Sequence, residues 1–448
     1  MKEQNEVLRE TQSLCPVCLR RLPARHVCED GNVYMEKNCP EHGNFRTILW
    51  RGGDDFPMDV WRGDIPALSD KSIPCPEACG LCSEHLQETC CILLELTRRC
   101  NLHCRHCFAE DDASTDPPFE TVKKWLADLS RSGRALVQLS GGEPTLRDDL
   151  PKIVACAKER GVRYVQLNSN GLRLAEDESY VAALANAGLS FVFMQFDGIS
   201  DDIYHTLRGR PLLDTKLRAV KNCAKYGIGV TFACTVVPGV NIDGIGALID
   251  LAVSLSPAVR GVHFQPVSYF GRYPEPPTDS MRFTLPELMR EIVSQSGGRI
   301  AAEHLAPSRC DHPVCSFHGD FVVLPDGLRS LGRAKQTECC CVPPVSSCCE
   351  REHEESAADK NRHFVARRWE RSALEENASC CEGSSELVDL TNFDGFLDRV
   401  RSHGFTLTAM AFQDCWNIDL ERLMHCSLHV YVDGKIIPFC ARYLTPQS

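Results

Sequence analysis

Cys100-Asn101-Leu102-His103-Cys104-Arg105-His106-Cys107 follows the apolar run Ile92-Leu93-Leu94-Glu95-Leu96, and this C-x3-C-x2-C spacing decides how the rest of the chain is read. Three thiolates so close together can hold three irons of a 4Fe-4S cube and leave the fourth iron without a protein ligand, open to bind and reduce something else. The plainer alternative is a zinc knuckle or three structural cysteines. What lies further along the chain weighs against that. Ser140-Gly141-Gly142-Glu143-Pro144 closes a second apolar run, and backbone free of side chains there can line a small polar ligand.

With 448 residues the chain can bury one large core plus one or two small appended units. A net charge of -12 argues against a broad nucleic-acid footprint. Met1 to Leu14 is polar and charged, and no run of about eighteen apolar residues occurs, so neither a signal peptide nor a transmembrane segment is expected and a cytoplasmic location is. The 27 cysteines fall largely in C-x2-C and C-x3-C spacings, which fits metal ligation in a reducing compartment better than a disulfide scaffold. Cys156, Cys223 and Cys234 sit within helical or strand patterns and read as buried small hydrophobes.

From Cys91 to about Ser268, short apolar runs alternate with helical patterns, the signature of βα units on a parallel sheet. Strands are predicted over Cys91 to Thr97, Ala135 to Ser140, Tyr164 to Ser169, Phe191 to Phe196, Gly229 to Val236 and Gly261 to Val267. The helices between them run from Glu120 to Ser132, Asp148 to Arg160, Ser179 to Ala187, Asp214 to Tyr226 and Ile242 to Leu255. Met1 to Cys90 has little periodicity but eight cysteines, so metals are expected to replace much of a core there. The expected units are 1–70 (a four-Cys knuckle), 71–90 (a cluster segment), 91–270 (the core), 271–331 (an extension), 332–386 (a poorly ordered insertion rich in Cys pairs) and 387–448 (a second cluster region).

The appended cysteines group into three sets. Cys15, Cys18, Cys28 and Cys39, the last in Cys39-Pro40-Glu41-His42-Gly43, suit a tetrahedral site for zinc or a rubredoxin-type mononuclear iron. Cys75, Cys79 and Cys82 repeat the C-x3-C-x2-C spacing and, with Cys90, can fully ligate an auxiliary 4Fe-4S cluster that relays electrons. Cys426 and Cys440 bracket a predicted hairpin around Asp433-Gly434 and, with Cys315 and either Cys310 or Cys415, make a third set. That set holds either another cluster or buried free thiols.

The triplet and the Gly141-Gly142-Glu143-Pro144 turn together resemble the radical S-adenosylmethionine (AdoMet) superfamily. The resemblance implies a partial (β/α)6 barrel, AdoMet chelated to the open iron by its amino and carboxylate groups, and reductive cleavage to a 5'-deoxyadenosyl radical. It places Gly141, Gly142 and Glu143 at the amino group, Phe108 near the adenine, and polar groups such as Gln195 and Asp197, which end strand four, at the ribose. By position alone, Asn168 after strand three can hydrogen-bond ribose or carboxylate, Arg208 beyond strand four can pair with a carboxylate in a planar fork, and Gln265 ends strand six. The local alternatives are turn roles for Asn170-Gly171 and Asp197-Gly198, and shielding of the cube from water by Phe108.

The run Cys75 to Cys107, the N-terminal knuckle, and the tail Trp416 to Arg422 with Ile436 to Cys440 narrow the resemblance to the family that includes archaeal tetraether lipid synthase and methanopterin-type pterin methylases. It implies radical alkylation or carbon-carbon coupling of a small-molecule or lipid substrate, one catalytic and one or two auxiliary clusters, and an electron donor such as ferredoxin or flavodoxin. Two features depart from it. Cys426-Ser427 stands where such relatives often pair two cysteines, and Cys339 to Cys341, Cys348-Cys349 and Cys380-Cys381 resemble vicinal thiols that capture arsenite. The rival is therefore transfer of a 3-amino-3-carboxypropyl or methyl group to arsenic. A non-catalytic iron-sulfur carrier or metallochaperone is the remaining alternative.

Overall fold

A computed structural model of the chain describes residues 6–63, 89–109, 115–131, 136–308, 311–332 and 393–447. Cys75, Cys79, Cys82 and Cys310, with the paired cysteines from Cys339 to Cys381, lie outside these residues.

Glu6–Leu14 (β1), Arg21–Glu29 (β2), Asn32–Cys39 (β3) and Gly43–Arg51 (β4) form an antiparallel meander in which each strand pairs with the next. The structure thus corrects the expectation of little periodicity. Leu22, Ala24 and His26 are buried at alternate positions of β2, and Val33, Met35, Lys37 and Cys39 at alternate positions of β3. The alternation is masked in the sequence because two of those inward positions carry His and Lys. Both find partners in the C-terminal region: Lys37 Nζ donates to Ser13 Oγ and to the Cys415 carbonyl, each at 3.0 Å, and His26 Nε2 lies 3.1 Å from Asp419 Oδ2.

Six parallel strands follow in sequence order: Cys91–Thr97 (β5), Leu136–Gly141 (β6), Tyr164–Ser169 (β7), Phe191–Gln195 (β8), Gly229–Val236 (β9) and Val259–Pro266 (β10). Helices Phe119–Arg131, Leu150–Glu159, Glu178–Asn186, Leu213–Lys225 and Ile245–Ser254 make the crossovers, each within a few residues of its predicted span. Alternation sets the two faces of the sheet. Leu94, Leu139, Leu167, Val192 and Phe232 join the helix-facing core, whereas Leu93, Gln138, Asn168, Phe193, Thr235 and His263 line an interior cavity.

The C-terminal residues extend this sheet. They supply Ala306–Pro307 (β11), Ser316–Leu324 (β12), Gly327–Ser330 (β13), Gly404–Met410 (β14), Leu428–Val432 (β15) and Lys435–Pro438 (β16). β14 pairs parallel to β10, and β15 parallel to β5, so the parallel array has eight strands rather than the six expected. β12 runs antiparallel on β14, and β16 antiparallel on β15 through the Asp433-Gly434 turn. The pairing path is open from β11 to β16. Its two flanks nevertheless touch, because Asp311 Oδ1 accepts from the Ser427 amide at 3.3 Å.

A buried ion pair ties the segment after β10 to the segment after β14. Arg282 Nη1 and Nη2 donate to the two Asp414 oxygens at 2.9 and 3.0 Å, and the amides of Tyr269 and Trp416 complete the carboxylate's shell. Removing one partner of such a pair leaves an uncompensated buried charge. Asp414→Ala is expected to cost about 3–5 kcal/mol, measured as a lowered denaturant midpoint; a midpoint equal to the wild type would contradict this role.

Candidate active site and metal centres

Cys100, Cys104 and Cys107 sit in the loop that leaves the C-terminal end of β5, and all three line the interior cavity. The loop is held from the far side of the sheet. An antiparallel bridge joins Cys107 to Arg272, and Arg272 Nε donates to the Cys104 carbonyl at 3.0 Å. Gly271 makes the approach possible: its φ is +63° and a Cβ there would lie 2.4 Å from the Cys107 carbonyl oxygen. Burial, with Glu143, Cys104 and Cys107 nearby, pushes the Cys100 thiol up to about 12. Burial and Cys104 likewise raise Cys107. Two thiols raised in this way beside a third, Cys104, become thiolates more readily next to a cation, which is the chemistry of a metal-ligand set. They are also spread more widely than ligands of a single ion, since Cys15, Cys18, Cys39 and His42 are the group gathered within 4.8 Å among the described residues. The set fits an iron-sulfur cube with one iron left to another ligand.

The Gly141-Gly142-Glu143 turn lies against the base of this loop. The Gly142 amide donates to the Thr97 carbonyl and the Glu143 amide to the Arg99 carbonyl, both at 2.8 Å. Gly141 has a φ of +121°, and a Cβ on it would stand 2.2 Å from the Thr97 oxygen. The two motifs are therefore one unit. The Glu143 side chain was expected to meet the ligand, but its carboxylate is already engaged. Oε1 accepts from the Thr145 amide and hydroxyl and from Ser169 Oγ at 3.1, 2.6 and 2.8 Å, and Oε2 from the Asn170 amide at 2.7 Å. Glu143 braces the turn, and what faces the cavity there is mostly backbone.

Phe108, Asn168, Gln195, Arg208 and Gln265 line the same cavity, about 350 Å³ in volume, as Gly141 and Gly142 do. Phe108 packs edge-on to Phe439 and Tyr443, with ring centroids 5.3 and 4.8 Å away. Asp197 is corrected: it is buried behind the wall and holds Arg208 in a fork, with Nε to Oδ2 at 2.8 Å and Nη2 to Oδ1 at 2.6 Å. Burial alone would lower the Arg208 guanidinium, but Asp197 and Cys104 beside it raise it. A fixed cation thus stands next to a cluster cysteine.

Lys216 was not anticipated. It is fully buried and donates from Nζ to the Asn170 carbonyl; burial brings it down to about 8 against the pull of Asp197. The available signal was a lysine in the apolar stripe of its helix, in step with Ala219, Val220 and Cys223.

At the N-terminus the four-Cys set is also corrected. Cys15 and Cys18 lie in the β1–β2 turn and Cys39 and His42 in the β3–β4 turn, which a meander brings to the same end; Cys28 lies near the β2–β3 turn, at the opposite end. The distances Cys18 Sγ to Cys39 Sγ 4.0 Å, Cys39 Sγ to His42 Nδ1 3.4 Å and Cys15 Sγ to His42 Nδ1 3.6 Å match the edges of a tetrahedron about one ion, roughly 3.8 Å between sulfurs for bonds of 2.3 Å. Cys15, Cys18, Cys39 and His42 fit zinc or iron.

In the C-terminal set, Cys315 Sγ receives Arg422 Nε and Nη2 at 3.3 and 3.2 Å, and Cys440 Sγ receives the Gln413 amide at 3.2 Å. Burial first, then Cys440 and Cys315 nearby, raises Cys426, so these three thiols share one neighbourhood. Cys415 does not join them: it is buried in a separate cluster with Tyr269 and Trp416, and its backbone carbonyl accepts from Lys37 Nζ. Cys90 lies just before β5 and lines the cavity, with its amide on the Ser427 carbonyl at 2.9 Å.

Residues 94–252 match the model of the Radical SAM superfamily, and residues 7–51 that of the HMPTM N-terminal zinc ribbon domain. The chain is similar to 7,8-dihydro-6-hydroxymethylpterin dimethyltransferase of Methanocaldococcus jannaschii, with 32% identity over 96% of this chain and 92% of that protein. It is also similar to Fe-coproporphyrin III synthase of Methanosarcina barkeri, with 36% identity over 36% of this chain and 40% of that protein. Among solved structures, Streptococcus suis SuiB bound to S-adenosylmethionine aligns over 48% of this chain and 50% of its own, at 17% identity and a TM-score of 0.40.

The N-terminal geometry makes a direct prediction for metal content measured by mass spectrometry. His42→Ala is expected to lose the ion bound at this site, whereas Cys28→Ser retains it. The reverse pattern would restore the four-Cys assignment.

Proposed function

The chain belongs to the radical SAM superfamily, in the family of the Methanocaldococcus pterin dimethyltransferase, and on that premise we propose that it cleaves AdoMet reductively and uses the radical to alkylate carbon on a small-molecule substrate. The observation that carries this is the union of triplet and glycine turn on one cavity wall, with Gly142 and Glu143 bonded to the backbone that leads into Cys100. When bound, the reduced cluster supplies one electron to the AdoMet sulfonium and so breaks a carbon-sulfur bond.

The protein's own residues do the rest. Cys100, Cys104 and Cys107 hold the cube and leave one iron for the amino acid end of AdoMet. The Gly141 and Gly142 backbone lets that end approach without side-chain interference. Arg208, fixed by Asp197, offsets the negative charge of the thiolates. Phe108 and its aromatic neighbours exclude water from the cube. Cys15, Cys18, Cys39 and His42 hold a structural ion, and Cys315, Cys426 and Cys440 beside Arg422 hold an auxiliary cluster that passes electrons inward from a donor such as ferredoxin or flavodoxin.

The relative's name makes a pterin the first substrate to test. Transfer to arsenic draws on the paired cysteines from Cys339 to Cys381; the carbon reading is preferred because the likeness to the pterin dimethyltransferase runs over 96% of the chain. An electron carrier needs no glycine cradle beside its cluster.

In anaerobic, fully metallated protein, the expected product is 5'-deoxyadenosine rather than methylthioadenosine, resolved by mass spectrometry. Cys104→Ala is expected to abolish its formation and Arg208→Ala to lower it about 10–100-fold. Methylthioadenosine as the main product would overturn the carbon reading in favour of aminocarboxypropyl transfer.

A further inference from the structure

The short helix Leu420–Met424 buries a cation that, among the described residues, no carboxylate touches. Arg422 is 5% exposed, and its contacts are the Cys315 Sγ, reached by both Nε and Nη2, and the Ala411 carbonyl, 3.3 Å from Nη2. The two carboxylates closest to it in sequence are already taken. Asp419 accepts from Thr11 Oγ1 at 2.7 Å and from the Glu421 amide at 2.9 Å and lies 3.1 Å from His26 Nε2, while Glu421 is paired with Arg9 and with Arg62.

Arg208 makes the contrast. It too stands near a cluster cysteine, but its fork on Asp197 balances its charge. Arg422 has no such fork, and a guanidinium taken out of water is costly unless a negative charge meets it. What meets it is the Cys315 sulfur. A neutral thiol does not balance the cation, whereas a metal-bound thiolate does. Cys440 Sγ in the same neighbourhood also receives an N–H, from the Gln413 amide at 3.2 Å. Cys315, Cys426 and Cys440 are not drawn together as tightly as the one-ion set of Cys15, Cys18, Cys39 and His42, so these sulfurs fit a cube better than a single ion.

We propose that Arg422 is the buried counter-cation of the auxiliary cluster on Cys315, Cys426 and Cys440, and that it raises that cluster's reduction potential. This rests on the reading of these three cysteines as cluster ligands. One-electron reduction adds a negative charge to the cube. A fixed cation that also gives two N–H bonds to a ligand sulfur stabilises the reduced form more than the oxidised one, because the reduced sulfurs carry more charge and the site is shielded from water. Arg422 acts through Cys315 and touches no substrate, so it is a positioning residue whose effect is read in the potential.

The test uses the full chain, reconstituted anaerobically with Cys100→Ala, Cys104→Ala and Cys107→Ala to remove the catalytic cluster, and redox titration followed by electron paramagnetic resonance. The signal followed is the one that Cys426→Ser abolishes. In this background Arg422→Gln is expected to lower the midpoint by at least about 59 mV, a tenfold change in the one-electron equilibrium. Arg422→Lys, which keeps the charge without the fork, is expected to lower it by less. An Arg422→Gln protein that keeps the cluster at an unchanged midpoint overturns the proposal. Should Arg422→Gln lose the cluster, the parent protein with nitrogen-15 arginine decides: weak hyperfine coupling from guanidinium nitrogens bonded to a ligand sulfur is expected in the reduced cluster, and its absence overturns the proposal. A parent with no signal sensitive to Cys426→Ser overturns the auxiliary-cluster reading itself, and the role of Arg422 with it, while AdoMet cleavage at the triplet stands apart.

Discussion

The structure depends on holding the three thiols of Cys100, Cys104 and Cys107 together on the wall of one cavity. Burial pushes Cys100 up to about 12 and raises Cys107 as well, so a cation beside these two favours their thiolates. The surrounding fold keeps that arrangement open. Arg272 clasps the Cys104 and Cys107 backbone, the Gly142 and Glu143 amides fix the loop's first residues, and Arg208 stands against Cys104 with its own charge balanced by Asp197.

The parallel array explains why the other parts converge here. Every strand from β5 to β10 ends at the same rim, so loops distant in sequence become neighbours. β14 and β15 widen the array and bring the C-terminal aromatic residues Phe439 and Tyr443 against Phe108. The N-terminal meander docks through buried polar contacts, Lys37 on the Cys415 carbonyl and His26 on Asp419, and Arg62, in the helix that follows it, pairs with Glu421 at 3.0 Å. Breaking one partner of such a contact is costly, which ties the N-terminal metal unit to the C-terminal segment that also carries Cys426 and Cys440.

Much of this was legible in the sequence because it is local. The βα alternation gave the strands Cys91–Thr97, Tyr164–Ser169 and Gly229–Val236 to the residue, and the triplet and glycine turn carry their chemistry in their spacing. What was not legible is what depends on pairing between distant segments. Cys28 has the right residue type, but only the meander's register shows that it lies at the wrong end, while His42 follows Cys39 into the correct turn. Asp197 and Arg208 both looked like ligand contacts; which one faces the cavity is decided by the fork between them. Glu143 belongs to a ligand motif, yet its carboxylate is consumed by Thr145, Ser169 and the Asn170 amide. β14 and β15 are strand-like in sequence, but nothing local says that they join the edges of the central array.

The central claim is that one iron of the cluster held by Cys100, Cys104 and Cys107 has no protein ligand and takes the amino acid end of AdoMet. Electron-nuclear double resonance on the reduced enzyme, with AdoMet labelled with nitrogen-15 in its amino group and oxygen-17 in its carboxylate, tests this most directly. The account predicts hyperfine coupling from both labels, of the strength of directly bonded atoms. A fully formed cluster, with AdoMet present in excess, that shows coupling from neither would contradict it.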